Sequence, residues 1–124
     1  MTTRSEREWL SDIISWGERL QGHLSGVDRQ AFFGSILIQD AACKCVEAIG
    51  EAAGNLDDLD PELDRNVPNL NLKLARKMRD RISHGYFQID LEILWNTVTD
   101  AIPKTTTAAR TLKSKYDERG GSAG

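Results

Sequence analysis

Apolar residues recur along this chain at three- and four-residue steps, the spacing of helices with one face turned inward. Trp9, Leu10, Ile13, Ile14, Gly17, Leu20 and Leu24 define a first helix. Gly26 ends it, and Asp28 is placed to cap a short turn through Phe32 and Phe33. Ile38, Ala41, Ala42, Cys45, Ile49, Ala52, Ala53 and Leu56 form a narrow stripe of mostly small side chains. Small side chains admit close neighbours, so this helix is predicted to lie centrally. Residues 54–68 contain Gly54, Asn55, Asp57, Asp58, Asp60, Pro61 and Pro68 and read as a connection. A fourth helix is expected from Asn69 or Asn71, with Leu70, Leu74, Ala75, Met78 and Ile82 inward and Gly85 as its stop. Asp90 can cap a fifth, with Leu91, Leu94, Trp95, Val98 and Ile102 facing in. Pro103 has no amide hydrogen and must kink or end that helix. No strand-like alternation or internal repeat interrupts the pattern. The prediction is an all-α, four- to five-helix up-and-down bundle. It forms one domain over residues 1–118, followed by a flexible tail at 119–124.

A chain of 124 residues can close one hydrophobic core without staples. Its net charge of −3 argues against coating nucleic acid by bulk electrostatics and leaves a local basic patch open. No apolar run approaches the ~18 residues of a membrane span, and the charged N-terminus lacks the apolar stretch of a signal peptide. Cys43 and Cys45 cannot build a disulfide framework, so a reduced, cytoplasmic protein is expected. On a helix these two point about 200° apart, which rules out a shared metal or an unstrained bridge. Cys45 reads as a small core residue. No metal site is expected: Glu47 and Glu51 share a face without a nearby histidine and read as solvated, with Glu51 a minor candidate for a functional cleft. Trp9, Trp16 and Trp95 read as core or interface, and His23 as a helix-end residue.

The chemistry concentrates between Lys73 and Tyr86. Lys73, Arg76, Lys77, Arg79 and Arg81 stand against Asp80 alone, a local excess able to hold phosphate. The simpler reading is a solvated face with Arg76 paired to Asp80 one turn on. His84 precedes Gly85 and is expected at the helix C-cap, where the partial negative charge of the helix end favours imidazolium. Histidine is the side chain that gives and takes protons near neutral pH.

Arg79-Asp80-Arg81-Ile82-Ser83-His84-Gly85-Tyr86 resembles the arginine–four residues–histidine–any–tyrosine motif of HEPN proteins of the HepT branch. Gln39-Asp40-Ala41 with Glu47-Ala48-Ile49-Gly50-Glu51-Ala52-Ala53 is similar to that family's central helix. The run Phe87 to Trp95, with Val98 and Ile102-Pro103, is similar to the segment after the motif in that family. The resemblance covers about residues 8–115. It implies a metal-independent endoribonuclease toxin in which Arg79 and His84 contact the scissile phosphate and the RNA 2′-hydroxyl attacks it. In-line cleavage needs a base, an acid and cations on the phosphorane. One chain offers one suitable histidine, so a homodimer or larger oligomer is expected, with a site at the dimer cleft. Asp80, where the family often has Asn, can orient Arg79 or His84. Lys73, Arg76, Lys77 and Arg81 are the weaker phosphate contacts. The resemblance further implies a toxin–antitoxin pair, in which an MntA-type nucleotidyltransferase adds AMP to Tyr86 and blocks the site. ATP and magnesium then belong to the partner, and this chain needs no cofactor. The alternative is a non-catalytic helical module that scaffolds such a nucleotidyltransferase, a reading that Asp80 favours.

Overall fold

The computed structural model describes residues 4–85 and 90–123, the last five of these by backbone alone. Helix α1 (Glu6–Leu24) is capped by Ser5, whose hydroxyl accepts the Glu8 amide, and acids fill its first turn. A single turn, α2 (Arg29–Phe33), follows the Asp28 cap. Helix α3 (Ile36–Leu59) is capped by Ser35. Next come the short α4 (Leu63–Asn66) and then α5 (Leu72–Ser83). Asp90 caps α6 (Leu91–Asn96), accepting the Glu92 amide. A π-helical turn at Thr97–Ala101 joins α6 to α7 (Ile102–Ala123) in one continuous rod. The fold is an all-α bundle, with no strand among the described residues.

Helix α3 is central, packed between α1 and α5, and α7 lies on the other side of α1. Its buried surface is wider than the narrow stripe expected. Cys43, Val46, Gly50, Gly54 and Asp57 are covered as well as Ala42, Cys45, Ile49, Ala52, Ala53 and Leu56. Two neighbours on different sides bury more than one face. The small residues set the spacing. A Cβ on Gly50 would lie 2.2 Å from Arg79 Cβ and 2.7 Å from the Ala75 carbonyl. Between α1 and α7, one on Gly17 would lie 2.2 Å from Thr106 Oγ1.

Three expectations change. First, the connection begins at Asp60 and not at Gly54, because α3 runs on through Leu59. The breakers within it are held across the helix pair: Gly54 lies against the Arg76 side chain, and Asp57 and Asp58 bind cations of α5. Second, α5 begins at Leu72, beside Asn71 as expected and after two left-handed residues, Asn69 and Asn71, but with a different inward face. Two of its free amides are taken by Asp64, whose carboxylate accepts from Leu72 N at 2.7 Å and Lys73 N at 3.0 Å. This start turns Leu72 inward and leaves Leu74 exposed, against the sequence expectation. Third, Pro103 neither ends the helix nor acts alone. The π-helical turn just before it opens the backbone ladder where the proline ring needs room, and Thr97 Oγ1 donates to the Ile93 carbonyl there. Helix α7 is described to Ala123.

Candidate functional site

Helices α3 and α5 run antiparallel, and cations near the start of α5 meet acids near the end of α3, while Arg79 further along α5 meets Glu51 further back on α3. Lys73 Nζ lies 2.8 Å from Asp57 and also reaches the Pro61 carbonyl. Arg76 grips Asp58 with both terminal nitrogens, at 2.8 and 3.3 Å. Arg79 lies 2.9 Å from Glu51 and 3.2 Å from Asp80. The Asp57 contact raises the Lys73 ammonium above its ordinary range, and the Arg76 contact holds the Asp58 carboxyl below its own. The expected Arg76–Asp80 pair along α5 does not form, because the guanidinium turns across to α3. Lys73 and Arg76 are therefore engaged at the far end of α5. Lys77 and Arg81 are exposed, and neither makes an ion pair among the described residues.

His84 occupies the C-cap of α5, as its place before Gly85 requires. Gly85 takes the left-handed φ of 134° that lets the chain turn away, and its amide reaches the Ile82 carbonyl. The Asp80 carbonyl accepts twice from His84, from the backbone amide at 3.1 Å and from Nδ1 at 2.7 Å. A carbonyl only accepts, so Nδ1 carries the proton. In the neutral ring Nε2 is then the free acceptor, on an exposed side chain. Asp80 thus touches both motif residues, Arg79 through its carboxylate and His84 through its backbone. Tyr86 lies outside the described residues.

The antiparallel pairing also sets what surrounds this end. Ile82 lies by Asp40, Cys43, Lys44 and Glu47 in the first half of α3. His84 and the start of α3 are therefore at one end of the bundle. Ile36 and Leu37, 75% and 80% exposed, present apolar surface at that end. Beside Arg79, a groove of about 540 Å³ runs between α1, α3 and α5, with Trp9 and Trp16 in its wall. Glu51 is the residue that sequence reasoning undervalued. Its link to Arg79 crosses two helices, and the available signal was its neighbour Gly50, a glycine inside a helix where a second helix must come close.

His23 is exposed in the last turn of α1. Both cysteines are buried free thiols; burial, with Asp40 and Glu47 adding, pushes the Cys43 thiol up to about 11. Trp95 packs on Phe32, with ring centroids 5.1 Å apart. Among the described residues no group of acids, histidines or cysteines is clustered to hold a metal ion. No helix there is long and apolar enough to cross a membrane.

Comparison with known proteins bears on the same helices. A protein of Thermococcus cleftensis named "Probable ribonuclease HepT" is 29% identical over 93% of this chain and 96% of its own length. A "Putative RNase" of Methanocaldococcus jannaschii is 28% identical, covering 84% of this chain and 87% of that protein. Another so named, from Caldanaerobacter subterraneus, is 28% identical over 90% of this chain and 97% of its own. No solved structure matches. The family model described as "Ribonuclease HepT-like" matches residues 13–112, from the middle of α1 to the middle of α7 and across the Arg79–His84 segment. The chain belongs to the ribonuclease HepT-like family.

Proposed function

We propose that this protein is a metal-independent endoribonuclease that cuts RNA at the exposed end of α5, with His84 as proton carrier and Arg79 as phosphate ligand. The observation that carries this reading is the 2.7 Å contact from His84 Nδ1 to the Asp80 carbonyl, which orients the ring and leaves Nε2 outward. In the step, Nε2 of one His84 takes the proton of the RNA 2′-hydroxyl. The 2′-oxygen forms a bond to phosphorus, and the bond to the 5′-oxygen breaks. A second histidine returns a proton to the departing oxygen. The fragments carry a 2′,3′-cyclic phosphate and a 5′-hydroxyl. The second histidine is supplied by another copy of the chain. The exposed Ile36 and Leu37 give that end of the bundle an apolar surface on which a copy can sit. Arg79 reaches phosphate by exchanging one of its two carboxylates for it, and Lys77 and Arg81 add charge nearby. The protein works in the cytoplasm as the toxin of a toxin–antitoxin pair. A partner nucleotidyltransferase silences it by transferring AMP from ATP to Tyr86, adding negative charge and bulk that block RNA phosphate.

The test is cleavage of bulk RNA by unmodified protein in excess chelator. Wild type should yield cyclic-phosphate ends. His84→Ala should lose cleavage while keeping its fold, since an exposed C-cap substitution costs about 0.5 kcal/mol. Mass analysis with partner and ATP should show added AMP, absent in Tyr86→Phe. One observation favours a second reading, a non-catalytic scaffold for the nucleotidyltransferase: Arg79 lies between two carboxylates, Glu51 and Asp80. A protein shown by mass to carry no adduct, which binds the partner and cuts nothing, would establish that reading instead.

A further inference from the structure

The groove beside Arg79 is built from unlike parts. Trp9 and Trp16 lie seven residues apart on α1, on one face and about 10 Å apart along the axis. Both are half-buried, so each indole is anchored by the core and still lines the groove. The Arg4 guanidinium stacks over Trp9, 4.2 Å from the ring centre, and Arg19 over Trp16 at 4.5 Å. Lys44, across on α3, lies 5.9 Å from the Trp16 ring. These indoles already receive planar and cationic groups on their π faces.

The charges in the groove balance. Arg4, Lys44 and Arg79 line it together with Asp12, Glu47 and Glu51. Asp12 is held by Arg4 at 2.7 Å and Glu51 by Arg79 at 2.9 Å. The half-buried Glu47 carboxylate makes no ion pair or hydrogen bond among the described residues. A balanced groove does not attract phosphate into itself. It suits a neutral, flat, polar ring, while phosphate is drawn to the rim where Arg79 joins the α5 end. The volume of about 540 Å³ is ample for such a ring. An ionised carboxylate only accepts hydrogen bonds, so Glu47 selects a base that presents donors. Guanine offers two side by side, its ring N1–H and its exocyclic N2 amine, and a carboxylate can accept both. The corresponding edge of adenine holds an unprotonated ring nitrogen that would face the carboxylate.

We infer that the groove between α1, α3 and α5 is a base-reading subsite that stacks a guanine of single-stranded RNA on Trp16, reads its donor edge with Glu47, and so selects which phosphate reaches Arg79. The identity of the ligand as RNA rests on the ribonuclease reading above. The test is therefore a binding assay that needs no cleavage. Short oligoribonucleotides carrying 2′-deoxyribose at each guanosine, or at each adenosine in the matched control, are titrated while tryptophan fluorescence is followed. The guanosine oligonucleotide should quench the fluorescence and bind about tenfold more tightly than the adenosine one. Glu47→Gln should erase that preference. Trp16→Phe, which keeps an aromatic body in the core, should lose most of the quenching and bind several-fold more weakly. On cleavable RNA, Glu47→Gln should raise KM more than it lowers kcat and flatten the base bias at the cut sites. Equal affinity for the two oligonucleotides, or quenching unchanged in Trp16→Phe, would overturn the subsite whether or not the protein cuts RNA. Quenching with guanosine preference in a protein that cuts nothing would uphold the subsite and count against the nuclease. If free GMP matches the oligonucleotide in affinity, the ligand is a nucleotide and the assignment to RNA fails.

Discussion

Replacing Gly50 by alanine should push α5 away from α3. The added Cβ would meet Arg79 Cβ at 2.2 Å and the Ala75 carbonyl at 2.7 Å. Carbon atoms pack at about 3.5–4.0 Å, so the shortfall exceeds an ångström. Neither obstacle is the free end of a side chain: one is backbone and the other is fixed to it. The helices must separate, and overpacking of this kind costs roughly 1–3 kcal/mol. Removing a glycine from a helix interior returns about 1 kcal/mol. The expected net loss is up to about 2 kcal/mol, read as a urea midpoint lower by up to about 1 M. Two controls isolate the cause. Gly22 has nothing within 4 Å of an added Cβ, so Gly22→Ala should stabilise by about 0.5–1 kcal/mol. At Gly54 the nearest atom is Arg76 Nε at 3.1 Å, part of a long side chain that can shift, so Gly54→Ala should be near neutral. Gly50→Ala as stable as Gly22→Ala would refute the close approach of α3 and α5. It would also remove the reason why Arg79 sits where it does.

Two further outcomes concern titration. The Cys43 thiol is pushed up to about 11 by burial, from 9.0. A raised pKa stabilises the fold below the unfolded value, and that contribution is lost as pH rises through the folded one. Stability should therefore fall between about pH 9 and 11. At pH 8 an alkylating reagent should label the cysteines only in urea; fast labelling of the native protein would contradict their burial. Asp58 behaves in the opposite sense. Arg76 depresses its carboxyl, so its contribution is present above the ordinary carboxylate range and is lost as pH falls through the depressed value. Asp58→Asn should make the acid limb of the pH–stability curve shallower than in wild type, and an unchanged slope would show that the pair adds nothing.

What could be read from the chain alone was what is local in it. Helical periodicity, the Asp28 and Asp90 caps, the Gly85 stop and the C-cap place of His84 each depend on residues within about one turn. The centrality of α3 was also legible, because small side chains are themselves the means of close approach. Tertiary structure decided where charge is spent. Lys73, Arg76 and Arg79 pair with Asp57, Asp58 and Glu51 across 16, 18 and 28 positions of chain, and no local pattern specifies such a partner. It also decided that α3 passes through Gly54 to Leu59, since the acids that resemble a loop are held by the helix opposite. Leu74 turned outward because Asp64, eight residues before Leu72, set the start of α5. The groove of Trp9, Trp16 and Glu47 exists only once α1, α3 and α5 are side by side. Backbone hydrogen bonding is short-ranged along the chain and leaves its mark in sequence. Pairing between helices depends on register and distance, which are set only when the core closes.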